Sequence, residues 1–504
     1  MSIARTARPS HDHDRSRRRR IVGALAAAIL AAAAVPALPA TGGVLAVDPS
    51  PAPSAAPSPS PDPSASPSPD PSASASPSPD PTPSPTVAPT PAPTPAFATA
   101  ITTLSSTVRF YGRGYGHGVG LNQYGARGRA LAGQTAEQIL TAYFTGATIT
   151  ATDPAREVRV LLMAGFPASA SSPLVVYGRG GTWEIAGVAM VFPADAVLRT
   201  WRTATTVNGV AKTAWSVRVT APDGMTILHD ATVAGAVTVR PLDTIGRIQL
   251  FSKPSSYDTY RGSIELRLGT GSLNVVNHLG LDEYLRGVVP VEMPSSWPAE
   301  ALRAQAIAAR SYAVRRLHPA IGTFDVYDDT RSQVYRGAEA EKAATDAIIA
   351  AEPGATIVSG GSVVNAFFHS TGGSATENNE YAFVGPTGAV TSGKVVYLRG
   401  IDDRAPDGRA WDAAAPYYAW STSSLTRSQL SAMLGKDSRT NVGEVLRLNL
   451  TRRGVSGRLY QVVIYGTTAT KTVSADVFCS VYNAARPSGT LPLRSNLFDA
   501  RPLP

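Results

Sequence analysis

The 504-residue chain has one cysteine, Cys479. A single cysteine excludes an internal disulfide, so stability has to come from a packed core. Cys479 lies close to Phe478 and Val481, which reads as a structural thiol rather than a nucleophile. Long hydrophobic runs are also missing. The Ala/Ile/Leu run Ile21–Val35 is short of the ~20 apolar residues that a membrane span needs. No Lys or Arg occurs in residues 21–97, which hold four Asp. Three chemical signatures are absent as well. No GxSxG elbow surrounds a serine. The closely spaced glycines do not form GxGxxG. The aspartates of DVYDDTRSQVYRG lack an EF-hand's ligand order and closing Glu.

What is present divides the chain. The first 20 residues hold seven Arg and two Asp, and Arg15–Arg20 is nearly all arginine. Basic residues, a short apolar run and small residues up to Ala40 or Ala46 read as a signal peptide, or as an uncleaved membrane anchor, over 1–46. Adjacent arginines also permit a twin-arginine route. Residues 47–97 are a Pro/Ser/Ala-rich tract with the near-repeat PSPDPSAS. Such a tract buries no apolar area, so a disordered linker is expected. At about 3.1 Å per residue, some 50 residues would reach on the order of 150 Å. Residues 98–504 carry the remaining net charge of +8. A basic body suits a polyanionic surrounding, nucleic acid or an anionic cell envelope.

The body reads as α+β, mixed helices and antiparallel strands with a β-rich insertion. The stretches EVRVLLMAG, PLVVYG, TWEIAG, AWSVRVTA, AVTVRP, RIQLFS and SIELRLG have strand character between turn signals. Helices are expected over 121–131, 298–317 and 425–434. This gives four parts: 98–150, a glycine-rich and helical segment; 151–244, β-rich; 245–410, the core; and 411–504, a C-terminal α/β segment.

Four stretches carry chemistry. In VPVEMPSSW, Glu292 stands alone among apolar neighbours, ahead of a helix with seven Ala. Burial would favour its protonated form, and the following helix N-terminus its ionised form. A catalytic acid and a structural Glu paired with Arg286, Arg303 or Arg310 are both open here. In GRGYGHGVG, glycine takes every second position from Gly112 to Gly120. An extended strand would then have a bare face, for a flat ligand or for another backbone. FFHSTGGSATENN brings His369, Ser370 and Thr371 to a strand-to-loop junction. DVYDDTRSQVYRG offers three Asp, for a cation or as a solvated loop.

Together these stretches resemble the SpoIID/LytB family of cell-wall proteins. LGLDEYLRGVVPVEMPSSWPAEALRAQAIAARSYAV, DVYDDTRSQVYRG, FFHSTGGSATE, GRGYGHGVGLNQYGARGRALAG, AEQILTAYFTGA, GRLYQVVIYG and LPLRSNLF carry the likeness over about 109–145 and 245–500. The resemblance implies a secreted or envelope-associated peptidoglycan lytic transglycosylase with Glu292 as acid and base. The alternative is a non-catalytic glycan-binding enhancer of a cell-wall amidase. A surface-displayed adhesive protein, suggested by the Pro/Ser tract, is a third reading. Implied glycan contacts or supporting residues are Gln305, Arg310, Tyr312, Gln333, Tyr335, His369, Ser370, Thr371, Glu377, His117 and Gln123. Implied partners are peptidoglycan strands and, in the enhancer reading, an amidase. Nucleic acid is not among them, and membrane contact is confined to the N-terminal segment. No cofactor is implied. Zinc-bearing members place a Cys-x4-Cys pair in the DVYDDTRSQVY loop; here Tyr327 and Ser332 stand there, with Arg331 at the His position, so no metal is expected. The GHG motif precedes the core instead of following it, as in a circular permutation, which needs the two ends of the fold close together.

Overall fold

A computed structural model describes residues 97, 99–153, 155–318 and 321–503. Residues 1–46, where a signal peptide or anchor is expected, and all but Phe97 of the Pro/Ser tract lie outside the described residues. No helix among the described residues is long and apolar enough to cross a membrane.

Two antiparallel-rich sheets dominate the middle of the chain. One has six strands, in the order 227–233, 210–220, 197–207, 174–179, 247–250 and 259–260. The other has seven: 326–327, 157–166, 273–280, 263–268, 236–241, 183–185 and 191–192. Burial alternates strictly along Leu174–Arg179, the period-2 pattern of a sheet with one face on a core. The long hairpin Val197–Thr220 turns at Asn208-Gly209, whose φ values of 51° and 77° suit a two-residue turn between twisted strands. Inward residues of both sheets, such as Val176, Leu198, Trp215, Val239 and Val275, fill one core. Both sheets cross position 244: Leu174–Arg179 pairs with Arg247–Leu250, and Ala236–Pro241 with Ser263–Leu268. The β-rich region is thus continuous with the segment that follows it.

Five helices position the site: α1 (Gln123–Leu131), α2 (Ala136–Tyr143), α3 (Leu281–Arg286), α4 (Val289–Glu292) and α5 (Ala299–Val314). Helix α5 buries 13 of its 16 residues, as expected of a helix surrounded on all sides. Ala306, Ala309 and Ala313 face the sheet core, while Ala301, Ala304, Ile307, Ala308 and Tyr312 face a second core built with α1 and α2. Its alanines let two cores approach one backbone closely. A third core joins the C-terminal helices to the sheet 102–103, 445–449, 461–466 and 470–474.

The glycine-rich segment departs from the expected extended strand. Strand is confined to Tyr111–Arg113 and Leu121–Asn122. Between them Gly114, Gly116, Gly118 and Gly120 all have positive φ, so the chain curls at alternate residues. A Cβ at Gly120 would collide with the Phe367 carbonyl, and one at Gly118 with the Arg458 guanidinium. The bare face therefore meets another chain segment, not a flat ligand. Tyr111–Arg113 pairs with both 419–421 and Phe498–Asp499, which brings the two ends of the described body side by side.

Candidate active site

Helix α4 is a single turn with defined ends. Pro290 sits in its first turn, where a missing N–H costs nothing. Met293 precedes Pro294 and is driven to an extended conformation (φ −132°, ψ 136°), which ends the helix at Glu292. Val288 and Val289 belong to the sheet core, whereas Met293 belongs to the second core. Glu292 thus stands at the seam between two cores, which accounts for an acid among apolar neighbours.

Its polar company is sparse. The Val334 N–H donates to Glu292 Oε1 at 3.3 Å, and the Gln123 side-chain amide donates to the Glu292 carbonyl at 3.2 Å. Among the described residues it forms no ion pair. The arginines that a structural role would use are engaged elsewhere or apart from it. Arg310 pairs with Asp282 at 2.8 Å, Arg303 with Glu300 at 2.8 Å, and Arg286 forms no ion pair among the described residues. Burial pushes the Glu292 carboxyl up to about 7, against the opposing pull of the Val334 N–H and the Gln123 amide. No other carboxylate adds to that shift.

One face of α5 completes the surroundings. Gln305 and Tyr312 are seven residues apart, hence stacked on the same side. Gln123 Nε2 also donates to Gln305 Oε1 at 3.3 Å, linking α1 to α5. Tyr312 lies within electrostatic reach of Glu292. Gln305 Nε2 and the Tyr312 hydroxyl are buried without a partner. Such groups are uncommon in folded proteins; here Tyr312 is within electrostatic reach of Glu292, and Gln305 is bonded to the Gln123 amide that holds the Glu292 carbonyl. Gln333 is clamped by Tyr284 Oη at 3.3 Å and by its own bond to the Ala309 carbonyl at 3.3 Å. That clamp sets the adjacent Val334 N–H on Glu292. Tyr284, the Val334 amide and Arg316, which lies 3.2 Å from the Tyr312 ring centroid, went unread in the sequence. Only the spacing of Arg316, one turn beyond Tyr312, offered a signal.

The structure therefore gathers Glu292, Gln123, Gln305, Tyr312 and Gln333. Arg310 and Tyr335 are elsewhere. Arg310 ties α5 to α3 and to the Ala355 carbonyl at 3.0 Å. The Tyr335 hydroxyl donates to Asn277 Oδ1 at 2.9 Å inside the sheet core. The aspartates of the polar loop each take a separate cation: Asp325 with Arg159 at 2.7 Å, Asp328 with Lys253 at 2.6 Å, Asp329 with Arg331 at 2.8 Å. Tyr327 and Ser332 are joined by an N–H to Oγ bond of 3.1 Å, with Arg331 over the Tyr327 ring at 3.7 Å. Burial lifts the Cys479 thiol well above its ordinary range, leaving no thiolate.

His117, His369, Ser370, Thr371 and Glu377 form a second cluster behind the first. Phe368–His369 pairs in parallel with Leu121–Asn122, and the Ser370 carbonyl accepts the Tyr124 N–H at 3.1 Å. Thr371 exchanges both backbone bonds with Tyr115, at 2.9 and 3.1 Å. His369, Ser370 and Thr371 are buried, so their backbone supports α1 and the glycine-rich segment. The His117 and His369 rings lie 5.6 Å apart. His117 Nδ1 accepts the Val119 N–H, which puts its neutral-state proton on Nε2; His369 Nδ1 faces the Val119 carbonyl and must carry its own. Burial, aided by Arg458, lowers His117 to about 4; burial, His117 and Arg458 hold His369 well below its ordinary value. The Glu377 carboxylate accepts from Ser456 Oγ at 2.6 Å and from the N–H groups of Asn378, Val455 and Ser456 at 2.9, 2.9 and 3.2 Å.

Residues 269–356, which carry Glu292, α5 and the Gln333 loop, match the family model of SpoIID, a stage II sporulation protein. An uncharacterized protein of Brachyspira hyodysenteriae is 34% identical over 126 residues, 25% of this chain and 34% of that protein. Stage II sporulation protein D of Bacillus subtilis is 31% identical over 229 residues, 42% of this chain and 59% of that protein. The amidase enhancer of the same organism is 32% identical over 158 residues, 31% of this chain and 20% of that protein. The chain thus spans only about a third, three-fifths and a fifth of these relatives. No solved structure matches it significantly. Residues 269–356 match a SpoIID domain, and that match together with these relatives supports the SpoIID/LytB family for the chain.

Proposed function

We propose that the chain is an exported peptidoglycan lytic transglycosylase of cell-wall remodelling, with Glu292 as its acid and base. The observation that carries this reading is the lone carboxylate: Glu292 is raised to about 7, and no second acid acts on it. Two-carboxylate glycosidases need an acid and a separate nucleophile or base. A single residue suffices if the substrate supplies its own nucleophile. Glu292 donates its proton to the glycosidic oxygen between N-acetylmuramic acid and N-acetylglucosamine, and the bond from C1 to that oxygen breaks. The resulting carboxylate accepts the proton of the muramoyl C6 hydroxyl as O6 closes on C1. The products are a 1,6-anhydro end and a free 4-hydroxyl, and no water is consumed. A group near its own pKa at neutral pH serves both half-steps. Gln305 Nε2 and the Tyr312 hydroxyl are buried donors without a partner in the same region, and they suit a role in orienting the carboxyl rather than direct sugar contact.

The names of two relatives, stage II sporulation protein D and amidase enhancer, support a role at the cell wall. The second name also favours a second reading, glycan binding that stimulates an amidase without cleavage. A basic N-terminal segment ahead of a short apolar run supports export. The test is incubation of the chain and its Glu292→Gln form with intact and stem-stripped peptidoglycan, with products identified by mass. We expect 1,6-anhydromuramoyl ends from the parent alone. Reducing ends would mean hydrolysis, and binding without any product would select the enhancer reading.

A further inference from the structure

A line of half-buried aromatic side chains leads away from Glu292, and no part of the proposed chemistry uses it. Trp297, five residues beyond Glu292, packs on Tyr124 with ring centroids 4.7 Å apart. Tyr124 follows Gln123, whose amide holds the Glu292 carbonyl. Burial raises the Tyr124 phenol above its ordinary value, opposed by Arg127 and reinforced by Tyr417, both of which are within electrostatic reach of it. Tyr417 in turn meets Tyr115 edge to face at 5.4 Å. Two guanidinium groups cover the line: Arg127 is 5.7 Å from the Trp297 ring, and Arg494 is 3.7 Å from Tyr417 and 5.8 Å from Tyr115. Among the described residues neither arginine pairs with a carboxylate. The six residues come from four distant stretches of chain, and the backbone of Ser370 and Thr371 holds Tyr124 and Tyr115 from behind.

Aromatic faces suit the C–H faces of pyranose rings, and cations without an acidic partner suit a carboxylate that the protein does not supply. We propose that these side chains form a track for a glycan strand and that Arg127 and Arg494 select strands bearing carboxylates. The net charge of +8 on residues 98–504 agrees with an acidic ligand. The carboxylate has two sources, the lactyl group of a stem-stripped strand or the peptide stem of an intact one. The inference rests on peptidoglycan as substrate, but not on Glu292 cleaving it.

The experiment measures dissociation constants in the full chain carrying Glu292→Gln, so that binding is read without turnover. The ligands are solubilised intact strands, stem-stripped strands and neutral N-acetylglucosamine oligomers. We expect Tyr417→Ala to weaken acid-bearing strands about tenfold, with Tyr417→Phe close to the parent. Arg127→Gln and Arg494→Gln should weaken only the acid-bearing strands, about three- to tenfold each, and reduce the salt dependence. Loss on stem-stripped strands identifies the lactyl carboxylate; loss on intact strands alone identifies the stem. Parent-like affinity in all four variants overturns the track, as does a parent that binds none of the ligands. Equal losses on neutral and acid-bearing strands overturn the selection for carboxylate. A parent enzyme that binds but never cleaves refutes the transglycosylase reading and leaves the track standing.

Discussion

Two glutamates of this chain sit in apolar surroundings and keep opposite company. Glu292 has one backbone donor at 3.3 Å and one side-chain amide, with no cation. Glu377 has four short donors and Arg458 within electrostatic reach, and it is 1% exposed. Burial raises both carboxyls. The difference lies in what is left for something else to do. Glu377 is saturated, and its oxygens tie the 370s turn to the 455–458 loop. Glu292 is under-supplied and stands beside two unpartnered donors, so a proton and a ligand oxygen both have reason to visit it. Burial alone does not separate the acid proposed for chemistry from the one proposed to be structural; the proposal rests on the count of donors.

Exchanging each acid for its amide breaks the comparison most directly. Glu292→Gln should lower cleavage by about a thousandfold or more, because the only acid is gone, while the far-ultraviolet spectrum stays that of the parent. Glu377→Gln should do the reverse. It sets an amide N–H2 against N–H donors and leaves Arg458 with Asp412 in place of two acids, for a loss of roughly 2–4 kcal/mol in urea unfolding. Activity per folded molecule should stay within a few-fold of the parent. If Glu377→Gln silences a fully folded protein, the assignment of the two acids is reversed.

The pH dependence of stability sharpens the same contrast. Glu292 holds its proton more tightly when folded, with a value of about 7 against an ordinary 4.5. Its contribution to stability therefore falls as pH rises from 4.5 through 7. The loss is at most about 3 kcal/mol, and less because the side chain keeps some contact with solvent. Glu292→Gln should match the parent at pH 4 and exceed it at pH 8. His117 behaves oppositely, since its folded value of about 4 lies below the ordinary 6.5. Its stabilisation is present above 6.5 and is lost as pH falls towards 4, by at most about 3 kcal/mol. His117→Gln should reduce that acid limb without moving the alkaline one, and His369, also held below its ordinary value, keeps the remainder. Urea midpoints at pH 4, 6 and 8 for the three proteins check both signs.

How much of this was legible depends on how local each signal is. Strand alternation in Leu174–Arg179 and the alanine-rich α5 are local patterns, and both were readable as elements. Glu292 was conspicuous because its neighbours are apolar over a few residues. The resemblance added Gln305, Tyr312 and Gln333, which the structure brings to the same place. It also added Arg310, which ties α5 to α3, and Tyr335, which lies in the sheet core. Periodicity explains part of that split: Gln305 and Tyr312 are two turns apart on one face, whereas Arg310 is five residues from Gln305 and faces away. The curl of Gly114–Gly120 was not legible, because alternating glycines fit an extended strand as well as a chain with alternate positive φ. Nor was the aromatic line from Trp297 to Tyr115, whose members are separated by up to 302 positions and meet only in the fold.

The smallest expected effect concerns Gln123, which comes from the far side of the chain to touch Glu292. Its amide stabilises the ionised carboxylate and so holds the Glu292 value down. Gln123→Leu keeps a side chain of similar size and removes the donor. The carboxyl then has one fewer reason to ionise, and its value rises further. Cleavage that needs the protonated acid should fall on the alkaline side of about 7 in the parent and at a higher pH in the variant. At pH 8 the variant would gain about two- to threefold in protonated enzyme relative to the parent. Gln123 also bonds Gln305, so kcat at the acidic plateau should drop by a similar factor even as the limb moves. A full pH profile separates the two. Movement of the alkaline limb marks Gln123 as a residue that positions and tunes the acid. A uniform loss with an unmoved limb would mean that it only joins α1 to α5.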